Sequence, residues 1–135
     1  MKYCLLLFGM LLSTAGFAQN IVEDVKLETS AGSPNIIFKT GYATYYAKKF
    51  EGRRTTSGAK YRGKKMTAAH LSLPLGTVVT VTNLSNGKSV EVVVNDRGPH
   101  SRKYMIDLSE GAAKELGFYK KGQSKVEISY ELPIG

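Results

Sequence analysis

Thr77-Val78-Val79-Thr80-Val81-Thr82 and Ser89-Val90-Glu91-Val92-Val93-Val94 are two runs rich in β-branched residues, separated by a short polar stretch that contains Asn86-Gly87. Such side chains lose freedom in a helix and pack well on a pleated surface, so both runs are predicted strands. Asn-Gly tolerates the positive φ of a tight turn, which predicts that the two strands pair as a hairpin. Val92-Val93-Val94 does not alternate with polar residues, which predicts burial on both faces of the second strand.

Reading outward, the second strand runs into Asn95-Asp96-Arg97-Gly98-Pro99, a turn composition. Ser109-Glu110-Gly111-Ala112-Ala113-Lys114-Glu115-Leu116-Gly117 carries helix punctuation. Ser109 can cap the first amides, Glu110 complements the positive end of the dipole, and Gly117 can close the C-terminus. Val126 to Leu132 alternates apolar and polar residues and predicts a closing strand. Upstream, Tyr42-Ala43-Thr44-Tyr45-Tyr46 is aromatic and strand-like, and Phe50 to Lys65 reads as a long polar loop. Several short strands with one short helix predict a mainly β chain folded as a compact barrel.

The chain has 135 residues, 42% hydrophobic and 22% charged, which suits one small globular domain. Residues 1–18 read as a secretory signal peptide: Lys2, the apolar stretch Cys4 to Leu12, and small Gly16 and Ala18 before a cut after Ala18. A buried N-terminal helix or strand is the alternative. No apolar run reaches the roughly 18–20 residues of a membrane-spanning helix. Cys4 opens the apolar stretch instead of following it, so it is not expected to carry lipid, and no stable membrane anchor is expected after cleavage.

Removal of residues 1–18, Lys2 among them, leaves 117 residues with a net charge of +7 and no cysteine. The exported chain then uses neither disulfides nor thiol chemistry. Residues 19–40 read as a spacer, with loop residues at Thr29 to Asn35 and short apolar pieces that form either an added strand or a tether. Residues 41–132 form the predicted domain. Export predicts a periplasmic or extracellular location, where nucleic acid is not an expected partner. Positive charge there points to anionic envelope polymers, with solubility alone as an equal alternative.

His70, Asp96 and Asp107 are the candidate catalytic residues, each at or just beyond the edge of a predicted element. They support acid/base or electrostatic chemistry. Two histidines without close ligand spacing argue against a metal, and no cofactor loop is present. Asp107 lies in the apolar stretch Met105-Ile106-Asp107-Leu108, where a carboxyl tends to keep its proton toward neutrality and can protonate a glycosidic oxygen. The alternatives are local: Asp96 as a turn cap with Arg97 solvated, Asp107 as a helix cap, and His70 bonded to backbone. Tyr45 and Tyr46 are candidates to line a sugar groove. Adjacent strand residues point to opposite faces, so core packing is expected for one of them at least as readily.

With these residues in place, the sequence resembles the rare lipoprotein A (RlpA)-like family of double-psi β-barrels. The matching pieces include Gly41-Tyr-Ala-Thr-Tyr-Tyr46, Gly52-Arg-Arg-Thr-Thr-Ser-Gly58, Thr67-Ala-Ala-His70, Leu73-Pro-Leu-Gly-Thr77, Val94-Asn-Asp-Arg-Gly-Pro99 and Ile106-Asp-Leu-Ser109. The resemblance implies a six-stranded barrel with one or two short helices. It also implies lytic transglycosylase activity on peptidoglycan. The bond between N-acetylmuramic acid and N-acetylglucosamine would break as the muramoyl 6-hydroxyl closes a 1,6-anhydro ring, in wall remodelling or daughter-cell separation. Position by position, it implies Asp107 as general acid that then helps activate the 6-hydroxyl, Asp96 as the group that positions the sugar, stabilises charge or shares the acid role, and His70 as a group that orients a carboxylate or a substrate hydroxyl. Thr55, Thr56, Ser57 and Arg97 join Tyr45 and Tyr46 as implied substrate-binding positions. A monomer that meets peptidoglycan strands and envelope or cell-division proteins is expected.

One departure matters. The family's loop usually reads Thr-Ala-Ser-Gly-Glu, and here Thr55-Thr56-Ser57-Gly58-Ala59 puts alanine where that catalytic glutamate stands. Alanine transfers no proton, and losing a positioned acid or base typically costs ~10²–10⁴ in rate. Glu51 of the same loop is a candidate substitute. The competing expectation is a non-catalytic or expansin-like wall-binding module. Its support is Ala59 together with the eight Lys/Arg residues between Lys48 and Lys65. A partner-binding or inhibitory domain on the same barrel is a third reading.

Overall fold

The computed structural model describes residues 34–133. The expected signal peptide, residues 1–18, and residues 19–33 of the expected spacer lie outside the described residues. Six strands form: β1 (Ile36–Tyr45), β2 (Thr67–Ala69), β3 (Val78–Asn83), β4 (Ser89–Asp96), β5 (Ile106–Leu108) and β6 (Ser124–Glu131). They close into a barrel in the order β1-β5-β2-β4-β3-β6. Two pairs, β1 with β5 and β2 with β4, are parallel, and all the others are antiparallel. Among the described residues one helix, α1 (Glu110–Glu115), and a 3-10 turn at Lys48–Phe50 complete the closed barrel.

The interior follows from the period of two along each strand. Val79 and Val81 of β3, Val92 and Val94 of β4, Ile106 and Leu108 of β5, and Val126 and Ile128 of β6 are fully buried. Each such side chain contributes roughly 1.5–3 kcal/mol relative to exposure. α1 closes one end with Ala112, Ala113 and Leu116. The Ser109 hydroxyl accepts from the Ala112 amide at 3.3 Å, and Gly117 adopts φ +80° beyond the last turn, as the punctuation predicts. Asn83 ties the hairpin to this helix. Its amide donates to the Leu116 carbonyl at 2.8 Å, and its carbonyl accepts from Ser85 and Ser124.

Two expectations change, and the long loop gains detail. Val93 is 40% exposed, so β4 alternates and only Val92 and Val94 face the core. Its neighbour in register, Val78, is exposed too, and valine at both places suits the β propensity of the hairpin. Residues 36–40 belong to the barrel and not to a spacer, because β1 begins at Ile36 and pairs with β6 through Ile36↔Glu131. The loop from Phe50 to Lys65 is held back on itself by an isolated bridge, Arg54↔Lys60, with Tyr61 buried beneath it.

One irregularity sets up the site. Ala68 stands opposite Val94, but Ala69 stands opposite Asp96, so β4 has one extra residue at this point. Such bulges re-aim side chains, and this one brings Asp96 level with Ala69. On its other side Ala69 stands opposite Asp107 of β5.

Candidate active site

Asp96, the last residue of β4, and Asp107, the middle residue of β5, therefore flank the same alanine. Both line a cleft of about 670 Å³, with Tyr46, Phe50, Arg53 and His100 among its walls. Their environments differ sharply.

Asp96 is held by four donors. Tyr46 donates its hydroxyl to one carboxylate oxygen at 2.6 Å. The other oxygen accepts from the Thr56 amide at 2.9 Å, the Thr56 hydroxyl at 2.8 Å and the Arg97 amide at 2.9 Å. Burial alone would raise this carboxyl, but the bonds from Tyr46, Thr56 and Arg97 outweigh it and hold it below the ordinary range. The same contact, with burial as the larger cause, holds the Tyr46 hydroxyl far above its ordinary range, so it stays a donor. The Tyr46 ring packs on Tyr61 at 4.4 Å between centroids and edge-on to Phe50 at 5.8 Å.

Asp107 has no such donors among the described residues. Burial pushes its carboxyl up to about 6, the charge of His100 opposes that rise, and the Asp96 charge adds to it. Gly98 crosses close over it. A Cβ at Gly98 would lie 3.6 Å from Asp107 Oδ2, and φ is +145°, a backbone setting that glycine alone adopts readily.

The remaining candidates divide. His70 is buried and does not line the cleft. Its Nδ1 accepts from the Ser72 and Leu73 amides, both at 3.1 Å, so its proton sits on Nε2. Burial, then the charges of Lys39 and Arg97, lower its tendency to ionise. Its main chain supports Asp96: the His70 amide donates to the Asp96 carbonyl at 3.2 Å. The Arg97 guanidinium turns back to the His70 and Leu73 carbonyls, at 3.1 and 2.7 Å. Tyr45 donates its hydroxyl to the Tyr119 carbonyl at 2.6 Å and packs on Phe118 and Tyr119. Of the two tyrosines, Tyr46 is thus the one turned to the carboxylates.

Thr55 is buried and shares a hydrogen bond with Ser57 at 2.8 Å, while the Ser57 amide donates to the Asn95 carbonyl. The three loop residues clip the 55–59 turn to the end of β4, and Thr56 is the one that touches Asp96. Ala59 lies on the exposed side of that turn. Glu51 accepts from the Gly63 amide at 2.8 Å and faces Arg62 in a separate depression, so it does not enter the cleft. His100, which the sequence reading does not single out, does enter it. Its signal was position, two residues beyond Gly98 in the turn that follows Asp96. Among the described residues no cluster of three His, Cys, Asp or Glu side chains is arranged to hold a metal.

Comparison with known proteins bears on this geometry. Residues 39–128 match the family described as lytic transglycolase. Over 90 residues the chain is 51% identical to the endolytic peptidoglycan transglycosylase RlpA of Haemophilus influenzae, covering 67% of this chain and 31% of that protein. The chain spans about a third of the length of the curated relatives it matches. Among solved structures, the Streptomyces papain inhibitor superposes with a TM-score of 0.59 at 23% identity, over 74% of this chain and 100% of that one. An expansin of Clavibacter michiganensis superposes with a TM-score of 0.58 at 22% identity, over 73% of this chain and 52% of that one. These two likenesses concern the fold alone.

Proposed function

This chain belongs to the lytic transglycolase family, and from that premise we propose that it cleaves the bond between N-acetylmuramic acid and N-acetylglucosamine in peptidoglycan, leaving 1,6-anhydro ends. The observation that carries the proposal is the split between two carboxyls in one cleft. Asp96 is fixed as a carboxylate by four donors, while Asp107 keeps its proton up to a pH of about 6. Two carboxyls with opposite protonation are what glycosidic cleavage requires.

In this reading Asp107 gives its proton to the leaving oxygen, and the Asp96 carboxylate stabilises positive charge as it develops at the anomeric carbon. The 6-hydroxyl of the same sugar then closes on that carbon. Preorganised charge of this kind acts without reorganisation at the moment of reaction. Tyr46, Thr56 and the Arg97 amide position Asp96. His70, a neutral acceptor for two amides, fixes the chain beyond β2. Tyr46 and Phe50 offer aromatic faces to a sugar ring. The proposal includes export through residues 1–18 and action as a monomer in the periplasm or outside the cell.

The test is digestion of isolated sacculi with the purified protein, with soluble products read by mass spectrometry. Products lighter by one water, about 18 Da, than hydrolysed muropeptides are expected, because no water enters the anhydro ring. Ala59 favours a second reading, a wall-binding module. Salt-sensitive binding to sacculi with no soluble product is its signature.

A further inference from the structure

The cleft holds three cations that its two carboxyls do not use. Lys49, Arg53 and Arg54 line it together with Asp96 and Asp107. Yet every donor that reaches Asp96 is neutral: the Tyr46 and Thr56 hydroxyls and the amides of Thr56 and Arg97. Among the described residues the ion pairs are Arg62 with Glu51 and Lys114 with Glu110, so none of the three pairs with a carboxylate of the chain.

The segment that carries them is pinned. Lys49 Nζ stands 5.4 Å and Arg53 Cζ 5.3 Å from the centre of the Phe50 ring. Phe50 meets Tyr46 edge-on, and Tyr46 bonds Asp96. The Arg53 amide donates to the Phe50 carbonyl at 3.0 Å, its carbonyl accepts from the Tyr61 amide at 2.7 Å, and Arg54 bridges to Lys60. One wall of the cleft is thus cationic and tied through Phe50 and Tyr46 to the Asp96 carboxylate.

Cations without a partner in the chain are open to a charge on the ligand. The glycan of peptidoglycan is neutral except at the muramoyl sugar, whose 3-oxygen carries a lactyl group ending in a carboxyl. That carboxyl is free in strands stripped of peptide. Otherwise it is amide-linked to the stem peptide, which brings carboxylates of its own.

Resting on the peptidoglycan substrate of the reading above, but not on bond cleavage, we propose that Lys49, Arg53 and Arg54 bind a carboxylate carried on the 3-oxygen of the muramoyl sugar. They thereby determine which strands the cleft accepts, and they anchor the sugar whose anomeric carbon reacts.

The test measures Kd for labelled glycan strands, with stem peptides intact or removed, each before and after conversion of the carboxyls to neutral amides. Asp107→Asn protein is used so that strands stay whole, and anhydro products of the parent are followed separately. Asp107→Asn is expected to bind at least one carboxylate form about tenfold more tightly than its amide. Salt should weaken that preference. A preference on stripped strands alone assigns the lactyl carboxylate, one on peptide-bearing strands alone assigns a carboxylate of the peptide, and one on both assigns both. Adding Lys49→Gln, Arg53→Gln and Arg54→Gln should abolish the preference and leave the Kd for amidated strands unchanged. A Kd that amidation changes less than twofold on both kinds of strand overturns the proposal and leaves these cations to solubility. It is equally overturned if the three substitutions preserve the preference, or weaken binding of amidated strands as much as of the others. A parent that releases no anhydro product, with the charge preference intact, overturns the lytic reading alone.

Discussion

Replacing Asp107 by Asn is expected to stabilise the protein at neutral pH while abolishing product release. In the folded chain the carboxyl sits at about 6 against an ordinary 3.8, so it binds its proton more tightly than in the unfolded chain. Between those two values the folded state holds the extra proton, and stability falls as pH rises through that window. The loss persists at higher pH. At about 1.36 kcal/mol per pH unit the full gap corresponds to about 3 kcal/mol. Asp107 lines an open cleft, and solvent screening reduces this to about 1–2 kcal/mol. Asn carries no charge to desolvate and escapes the loss. Urea unfolding of parent and variant at pH 3.5 and pH 7.5 isolates the effect, because any packing difference between Asp and Asn appears at both. The variant should gain about 1–2 kcal/mol at pH 7.5 over its difference at pH 3.5, or roughly 4–16 °C in Tm for a domain of this size. An equal difference at the two pH values, or a relative loss at pH 7.5, would refute the argument that burial of Asp107 strains the charged form.

Asp96→Asn is expected to lower kcat by about 10²–10³-fold through loss of charge stabilisation. Because the Asp96 charge helps raise Asp107, the variant's residual activity should also fall off at lower pH than the parent's; a pH profile reads both. Tyr46→Phe keeps the ring against Tyr61 but removes one donor from Asp96, so that carboxyl moves up. Activity requires ionised Asp96 and is lost as pH falls, so the acid limb of the profile should shift to higher pH, with a drop of about tenfold in rate for one hydrogen bond to a charged group. Asn83→Ala takes from the buried Ser124 hydroxyl its 2.8 Å acceptor, leaving only the Lys125 carbonyl at 3.5 Å, and removes one of the two donors to the Leu116 carbonyl. It should cost about 2–4 kcal/mol in urea unfolding with little effect on kcat below the transition.

The sequence by itself determined the local elements. The hairpin of β3 and β4 was readable because its β-branched runs flank Asn86-Gly87. The helix was readable because Ser109 and Gly117 mark its ends. The family motifs carried the barrel class and the candidate residues Asp96 and Asp107. β2 and β5 carried no periodic signal of their own, since three residues are too few to show one. The exposure of Val93 was equally hidden, because valine suits both faces of a strand and only the covering layer distinguishes them.

What the tertiary structure alone decided is the chemistry of the site. Asp96 and Asp107 meet across Ala69 through a closed barrel and a one-residue bulge, both products of long-range pairing. Four donors from three separate segments fix one carboxyl, while burial raises the other. Arg97 and Tyr45 turn to backbone carbonyls, His70 holds two amides, and His100 stands in the cleft. A side chain's proton affinity depends on the groups that surround it in space, and in a barrel of non-sequential strands those groups come from segments far apart along the chain.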